Sequence, residues 1–153
     1  MAAVLKATVR LKIPAGQAKP SAQIGQALGP LGVNMRDFCK EVNAKTTQYI
    51  PGIVVPVELS AFSDNSFKFI VKTPPVSYFL FRCAGISLGA HKPGHENLGK
   101  VNLKQVYEIA TIKKTDPSLQ NLSLESIVSQ VIASAKTMGI EVYNNKGQET
   151  PKK

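Results

Sequence analysis

Residues Ala84 to Lys100 read AGISLGAHKPGHENLGK, with Gly85, Gly89, Gly94 and Gly99 spaced among His91, Lys92, His95 and Lys100. Side-chain-free backbone comes close to phosphates while lysines, aided by the histidines, neutralise them, so the stretch suits a polyanion. The His-x3-His spacing also offers two nitrogen donors to a metal. A tetrahedral site needs four ligands in tight pairs, however, and the nearest thiol, Cys83, precedes the pair at a distance. No metal is expected. A loop of this length without structure of its own is either functional or disordered. The expectation is both: disordered alone, ordered on RNA, with a plain flexible insertion as the alternative.

A second glycine cluster, GQALGPLG at 25–32, could be imagined cradling a nucleotide. No strand directly precedes it and no Lys-Ser/Thr follows it, so it reads as a turn-rich Pro/Gly segment. The acidic residues are scattered and no nucleophile elbow is present. The chain is therefore expected to be neither an enzyme nor the holder of a cofactor, with a small nucleotide-binding protein kept as an alternative.

The third candidate lies in LESIVSQVIASAKTMG, 124–139. Leu124, Ile127, Val128, Val131, Ile132, Ala135 and Met138 form one apolar stripe at helical spacing. The opposite face is short-chained: Ser126, Ser129, Ala133, Ser134 and Thr137, with Lys136 alongside. Small hydroxyls permit close approach and can bond the 2′-OH groups that line the RNA minor groove. Docking on another protein surface, as an interaction adaptor, is the alternative.

Charge agrees with a polyanion: 19 Lys and Arg against 10 Asp and Glu give net +9 over 153 residues. Cys39 and Cys83 are too few for a disulfide framework and read as reduced, partly buried thiols. The N-terminal stretch is no secretory signal, because Lys6, Arg10 and Lys12 interrupt its apolar residues.

The elements that must position these groups follow from periodicity. LKATVRLKI alternates, with Leu5, Ala7, Val9, Leu11 and Ile13 on one face and Lys6, Thr8, Arg10 and Lys12 on the other, which predicts a strand. VVPVELSAF, the turn SDNS and FKFIVK predict a hairpin, whose Pro56 suggests an edge strand or a bulge. Ser21 caps a short helix ended by Gly29, and Asn34 caps a better one with Met35, Phe38, Cys39 and Val42 inward. After KTPP the pattern turns helical: VSYFLFRCA up to Gly85, then LKQVYEIATIKK capped by Asn102 with Leu103, Val106, Tyr107 and Ala110 in step, then the long helix capped by Ser123. The expected class is α+β. A small N-terminal α/β domain, 1–72, holds a three-stranded antiparallel sheet and two helices. A Pro74-Pro75 hinge, 73–76, joins it to a compact helical RNA-binding domain, 77–143, followed by a disordered tail, 144–153.

Five segments occur in order and at compatible spacing: AGQAKPSAQIGQALGPLGVN, FCKEVNAKT, FKFIVKTPP, AGISLGAHKP and ASAKTMGIEV. Over residues 4–143 the chain resembles ribosomal protein eleven of the large subunit, of bacterial and organellar type. The resemblance implies a structural constituent of the large ribosomal subunit that binds and stabilises rRNA of the GTPase-associated centre and forms the stalk base. It implies RNA contacts at Arg82, Gly85, Gly89, Lys92, Pro93, Lys113, Ser134, Lys136 and Thr137. It implies a surface facing translation factors and antibiotics at Pro20, Ser21, Gly25, Gly29, Pro30 and Gly32. The implied partners are large-subunit rRNA, lateral stalk proteins and GTP-hydrolysing translation factors, with no membrane. Family members usually carry further prolines where this chain has Ala22, Gln23 and Gln26, and a glycine where it has Ala133. VSYFLF and VYEIATIKKTDP resemble mitochondrial members, which implies a mitochondrial ribosome, with bacterial cytoplasm or a plastid as the alternative.

Overall fold

The computed structural model describes residues 3–144. They divide between Pro74 and Pro75 into two compact units. The first contains β1 (Leu5–Pro14), α1 (Ala22–Leu28), a 3-10 turn (Gly29–Leu31), α2 (Met35–Lys45), β2 (Val54–Phe62) and β3 (Phe67–Val71). The second contains α3 (Val76–Ala84), β4 (Gly99–Asn102), α4 (Leu103–Lys113), α5 (Leu124–Thr137) and β5 (Ile140–Tyr143).

In the first unit β1, β2 and β3 form one antiparallel sheet in that order. Alternation puts Val55, Val57, Leu59 and Ala61 of β2 on the covered face, where Ile24, Leu28, Phe38 and Val42 of the helices meet them. Phe38 stands edge-on to Phe67 and Phe69, with ring centroids 6.1 and 5.7 Å away.

Two strand expectations need correction. First, β2 is the central strand, not an edge. Its Pro56 carbonyl accepts the Lys72 N–H at 2.9 Å, and a strand residue directs N–H and C=O to the same neighbour. The missing N–H of Pro56 therefore falls at the frayed end of β3, whose pairing with β2 begins only at Val57. Second, the β1–β2 register slips between Leu5 and Ala7. The extra residue swings Leu5 opposite Phe62 and leaves it 54% exposed, while the Lys6 ammonium donates to the Pro30 carbonyl at 3.4 Å.

The Pro/Gly segment after β1 is held by polar side chains of α2. Asn43 Oδ1 accepts the Ala18 N–H at 2.8 Å and its Nδ2 donates to the Ala18 carbonyl at 3.0 Å. The buried Thr46 hydroxyl donates to the Val42 carbonyl and accepts the Gly16 N–H at 3.0 Å. Ser21 and Asn34 cap α1 and α2 as expected. Gly29 is the C-cap of α1, as expected, but with a right-handed backbone (φ −54°), so the chain runs on into the 3-10 turn, which ends at the left-handed Gly32 (φ +72°).

The second unit has its own core of Leu80, Val101, Val106, Ile109, Ala110, Ile127, Val131, Ala135, Ile140 and Val142. Its three helices match the spacing. Two short strands that the periodicity does not predict, β4 and β5, pair in parallel from Gly99↔Ile140 to Asn102↔Tyr143. Tyr107 is 54% exposed rather than inward, and Ile109 takes the buried position. Asn102 ends β4 and caps α4, its Oδ1 accepting the Lys104 N–H while Gln105 Oε1 accepts the Asn102 N–H, a capping box. Of the expected tail, all but Asn144 lies outside the described residues.

Candidate nucleic-acid interface

Burying Ile127, Val131 and Ala135 fixes the rotation of α5 and turns Ser126, Ser129, Ala133, Lys136 and Thr137 outward, with Ser134 half-buried. The Ser126 hydroxyl pairs with that of Ser123 at 2.9 Å, and the other three hydroxyls of this face donate back to their own helix. Ser129 bonds the Glu125 carbonyl at 3.0 Å, Ser134 that of Gln130 at 2.9 Å, and Thr137 that of Ser134 at 2.7 Å. Their oxygen lone pairs face out, so the surface presents acceptors with no long side chain except Lys136. A sugar hydroxyl is a suitable donor to such a surface.

The glycine-rich connection starts where α3 stops. Gly85 takes the left-handed position (φ +69°) and the Ile86 N–H returns to the Phe81 carbonyl at 3.1 Å. The loop then runs to the C-terminal end of α5. The Ala90 N–H donates to the Met138 carbonyl at 3.1 Å and the Leu98 N–H to the Gly139 carbonyl at 2.9 Å. Between these points the chain folds on itself, the His95 and Glu96 N–H groups both meeting the Lys92 carbonyl at 3.1 Å. So the loop expected to be structureless has internal turns and two fixed ends, while His91 to Asn97 are all exposed. Among the described residues no third donor joins His91 and His95 into a metal-type cluster.

The remaining candidates divide. Arg82 is exposed in the last turn of α3, its guanidinium 5.8 Å from the Tyr78 ring centroid. Lys92, Pro93 and Lys136 are exposed, and Gly89 lies against the Met138 carbonyl. Lys100 is 69% exposed and 3.4 Å from Glu141, a surface pair worth little. Lys113 stands apart. It is buried, and its ammonium meets Asp116 at 3.0 Å, so it does not share this exposed surface. Helical spacing alone left it ambiguous, because the sequence hides which side of α4 the 114–122 turn covers. Burial pushes the thiols of Cys39 and Cys83 up, Cys83 also feeling Glu108, which keeps both protonated.

In the first unit Pro20, Ser21, Gly29, Pro30 and Gly32 are exposed along one segment and Gly25 is half-buried beside Met35. Next to Ser21 a shallow groove of about 180 Å³ is lined by Lys12, Ile13, Pro14, Ala18 and Lys19 among others. Within 25–32 the backbone is consumed by helix and 3-10 bonds, Leu28 and Leu31 are buried, and no phosphate cradle forms.

Residues 72–142 match the family described as "Ribosomal protein L11, RNA binding domain", and residues 9–67 match "Ribosomal protein L11, N-terminal domain". The chain belongs to the ribosomal protein L11 family. Its second unit is that family's RNA-binding domain, and the family is a structural, non-enzymatic component of ribosomes. Among its relatives, the large ribosomal subunit protein uL11 of Hydrogenobaculum sp. (strain Y04AAS1) is 42% identical over 96% of this chain and 100% of its own length. The large ribosomal subunit protein uL11m of Schizosaccharomyces pombe (strain 972 / ATCC 24843) is 40% identical over 93% of this chain and 99% of its own length.

Proposed function

We propose that this L11-family chain is a constituent of the large ribosomal subunit whose second unit grips the folded rRNA of the GTPase-associated centre. The observation that carries this reading is the joining of the small-residue face of α5 to an exposed cationic loop, inside the RNA-binding domain. Ser134 and Thr137 enter a minor groove as acceptors for 2′-OH groups, and Lys136, Lys92 and Arg82 meet phosphates. Gly85, Gly89 and Pro93 shape the backbone between them. Lys113 acts from inside, holding the turn after α4 through Asp116.

The first unit then forms the stalk base. Its exposed Pro20–Gly32 segment faces lateral stalk proteins and GTP-hydrolysing translation factors, and Pro74-Pro75 acts as the hinge between the units. Hydrolysis belongs to the factors. The resemblance of VSYFLF and VYEIATIKKTDP to mitochondrial members favours a mitochondrial ribosome, and subunit sedimentation from fractionated organelles and cytoplasm tests it.

The direct test is filter binding of the full chain to a transcript of that rRNA segment over a salt series. Tight, salt-dependent binding is expected, and Ser134→Glu should weaken it by more than about 2 kcal/mol, because a carboxylate is placed among phosphates. Equal affinity for an unfolded transcript of the same composition, or for the Ser134→Glu variant, would overturn the reading.

A further inference from the structure

The loop meets the end of the small-residue helix at Met138 and Gly139. Gly139 follows α5 in the left-handed region, φ +74°, and is buried. A Cβ built on it would lie 2.5 Å from the Ala90 Cβ and 2.8 Å from the Glu96 carbonyl oxygen, closer than side chains tolerate. Its own carbonyl accepts the Leu98 N–H, and the carbonyl before it, from Met138, accepts the Ala90 N–H. One residue later β5 starts, and Ile140 pairs with Gly99, the first residue of β4. The chain thus crosses itself here, and the Ala90 methyl and the Glu96 carbonyl occupy the space a side chain on Gly139 would need. Gly99 and Gly89 also line this crossing, but the first meets Ala84 and the second has ordinary clearance from Met138.

We propose that Gly139 is a positioning residue for RNA binding, fastening the cationic loop to the end of α5 so that Lys92 and the Ser134–Thr137 face act as one surface. This rests on the RNA reading given above. The fastening reduces the segment that RNA must order to the lobe His91–Asn97, since Ala90 and Leu98 are already placed. Ordering fewer residues on contact leaves more of the contact energy as affinity. The fastening also sets where Lys92, the lobe's one lysine, lies relative to the helix, which a loop tethered only through Gly85 and Gly99 would not do.

Two variants of the full chain separate this role from folding. Gly139→Ala puts a Cβ into the crossing and strains the backbone. Leu98→Pro deletes one of the two donors and adds nothing at Gly139. Hydrogen exchange of the free wild type should show protected Ala90 and Leu98 amides beside a freely exchanging His91, Lys92 and Asn97. In both variants Ala90 should lose protection while α4 and α5 keep theirs. Binding to the rRNA transcript should fall by about tenfold or more, and the plot of log affinity against log salt should flatten by about one phosphate contact or more. A general loss of stability would leave that slope unchanged in the folded fraction. A folded variant with wild-type affinity and slope overturns the inference, and Leu98→Pro decides the matter if Gly139→Ala does not fold. A wild type without RNA affinity overturns the functional reading instead, and unprotected Ala90 and Leu98 amides in that free protein overturn the fastening as well.

Discussion

The two glycine-rich segments of this chain look alike on paper and fold in opposite ways. Between Gly16 and Gly32 the backbone condenses into α1 and a 3-10 turn, and Ile24, Leu28 and Leu31 vanish into the first core. Between Gly85 and Gly99 nothing helical forms, and Leu88 and Leu98 stay 74% and 46% exposed. Glycine content does not decide the outcome. Apolar residues at i, i+4 and i+7 give the first segment a face to bury, and Asn43 and Thr46 of α2 satisfy its backbone. The second has no such periodicity: Ile86 packs against the second core, and beyond it main-chain bonds at the two ends and at the Lys92 turn hold the segment.

The sharpest way to break that contrast is truncation of one leucine in each segment. Leu28→Ala empties a fully buried position and should cost the first unit about 3 kcal/mol in chemical denaturation. Leu88→Ala should stay within about 0.5 kcal/mol. Comparable losses would mean that the second segment has a core after all.

A smaller difference is expected from the left-handed glycines. Gly32→Ala incurs backbone strain, and its Cβ would meet Asn65 Oδ1 at 2.8 Å. About 1–2 kcal/mol should be lost from global stability. Gly94 is equally left-handed (φ +91°), but a Cβ there meets nothing. Gly94→Ala carries the backbone strain without the clash, so it should alter exchange inside the exposed lobe and move the denaturation midpoint less than Gly32→Ala does. Next comes the cap. Ser21→Ala removes the acceptor for the Ile24 N–H and should cost about 1 kcal/mol, read from the same denaturation curves. Loop 85–99 ends α3 with a glycine, Gly85, and holds no side-chain cap to lose.

The smallest effect is electrostatic. A hydrogen bond from Lys72 at 2.7 Å, with Arg10 nearby, holds the Glu58 carboxyl below the usual carboxylate range. The folded state thus favours the charged form. The stability this supplies is present above the unfolded pKa of about 4.3 and fades as pH falls through the lower folded value. Glu58→Gln should cost under about 1 kcal/mol at neutral pH and flatten the acid limb of a melting-temperature profile. An unchanged acid limb would show that the pair carries no linkage.

Most of the frame was legible because it is local. Caps at Ser21, Asn34, Asn102 and Ser123, stops at Gly85 and Gly139, and the stripe of α5 all follow from residues within a turn of one another. What escaped is long-range. β4 and β5 are four residues each and pair across the whole of α4 and α5, so neither has a pattern of its own. The bulge that exposes Leu5 depends on β2, and the central place of Pro56 depends on where β3 frays. At the interface, the short-chained face of α5 could be read directly. The burial of Lys113 could not, because it depends on which side of α4 the following turn covers, and the crossing at Gly139 could not, because it is set by a segment distant in sequence.

Asn102 is at once the final residue of a strand and the cap of a helix, so one side chain serves two elements. Peeling β4 from its partner would uncap α4, and fraying α4 would loosen the strand. The junction has no slack: even a single inserted residue would put either the strand out of register or the helix out of phase. Whatever length variation this domain tolerates must be absorbed elsewhere.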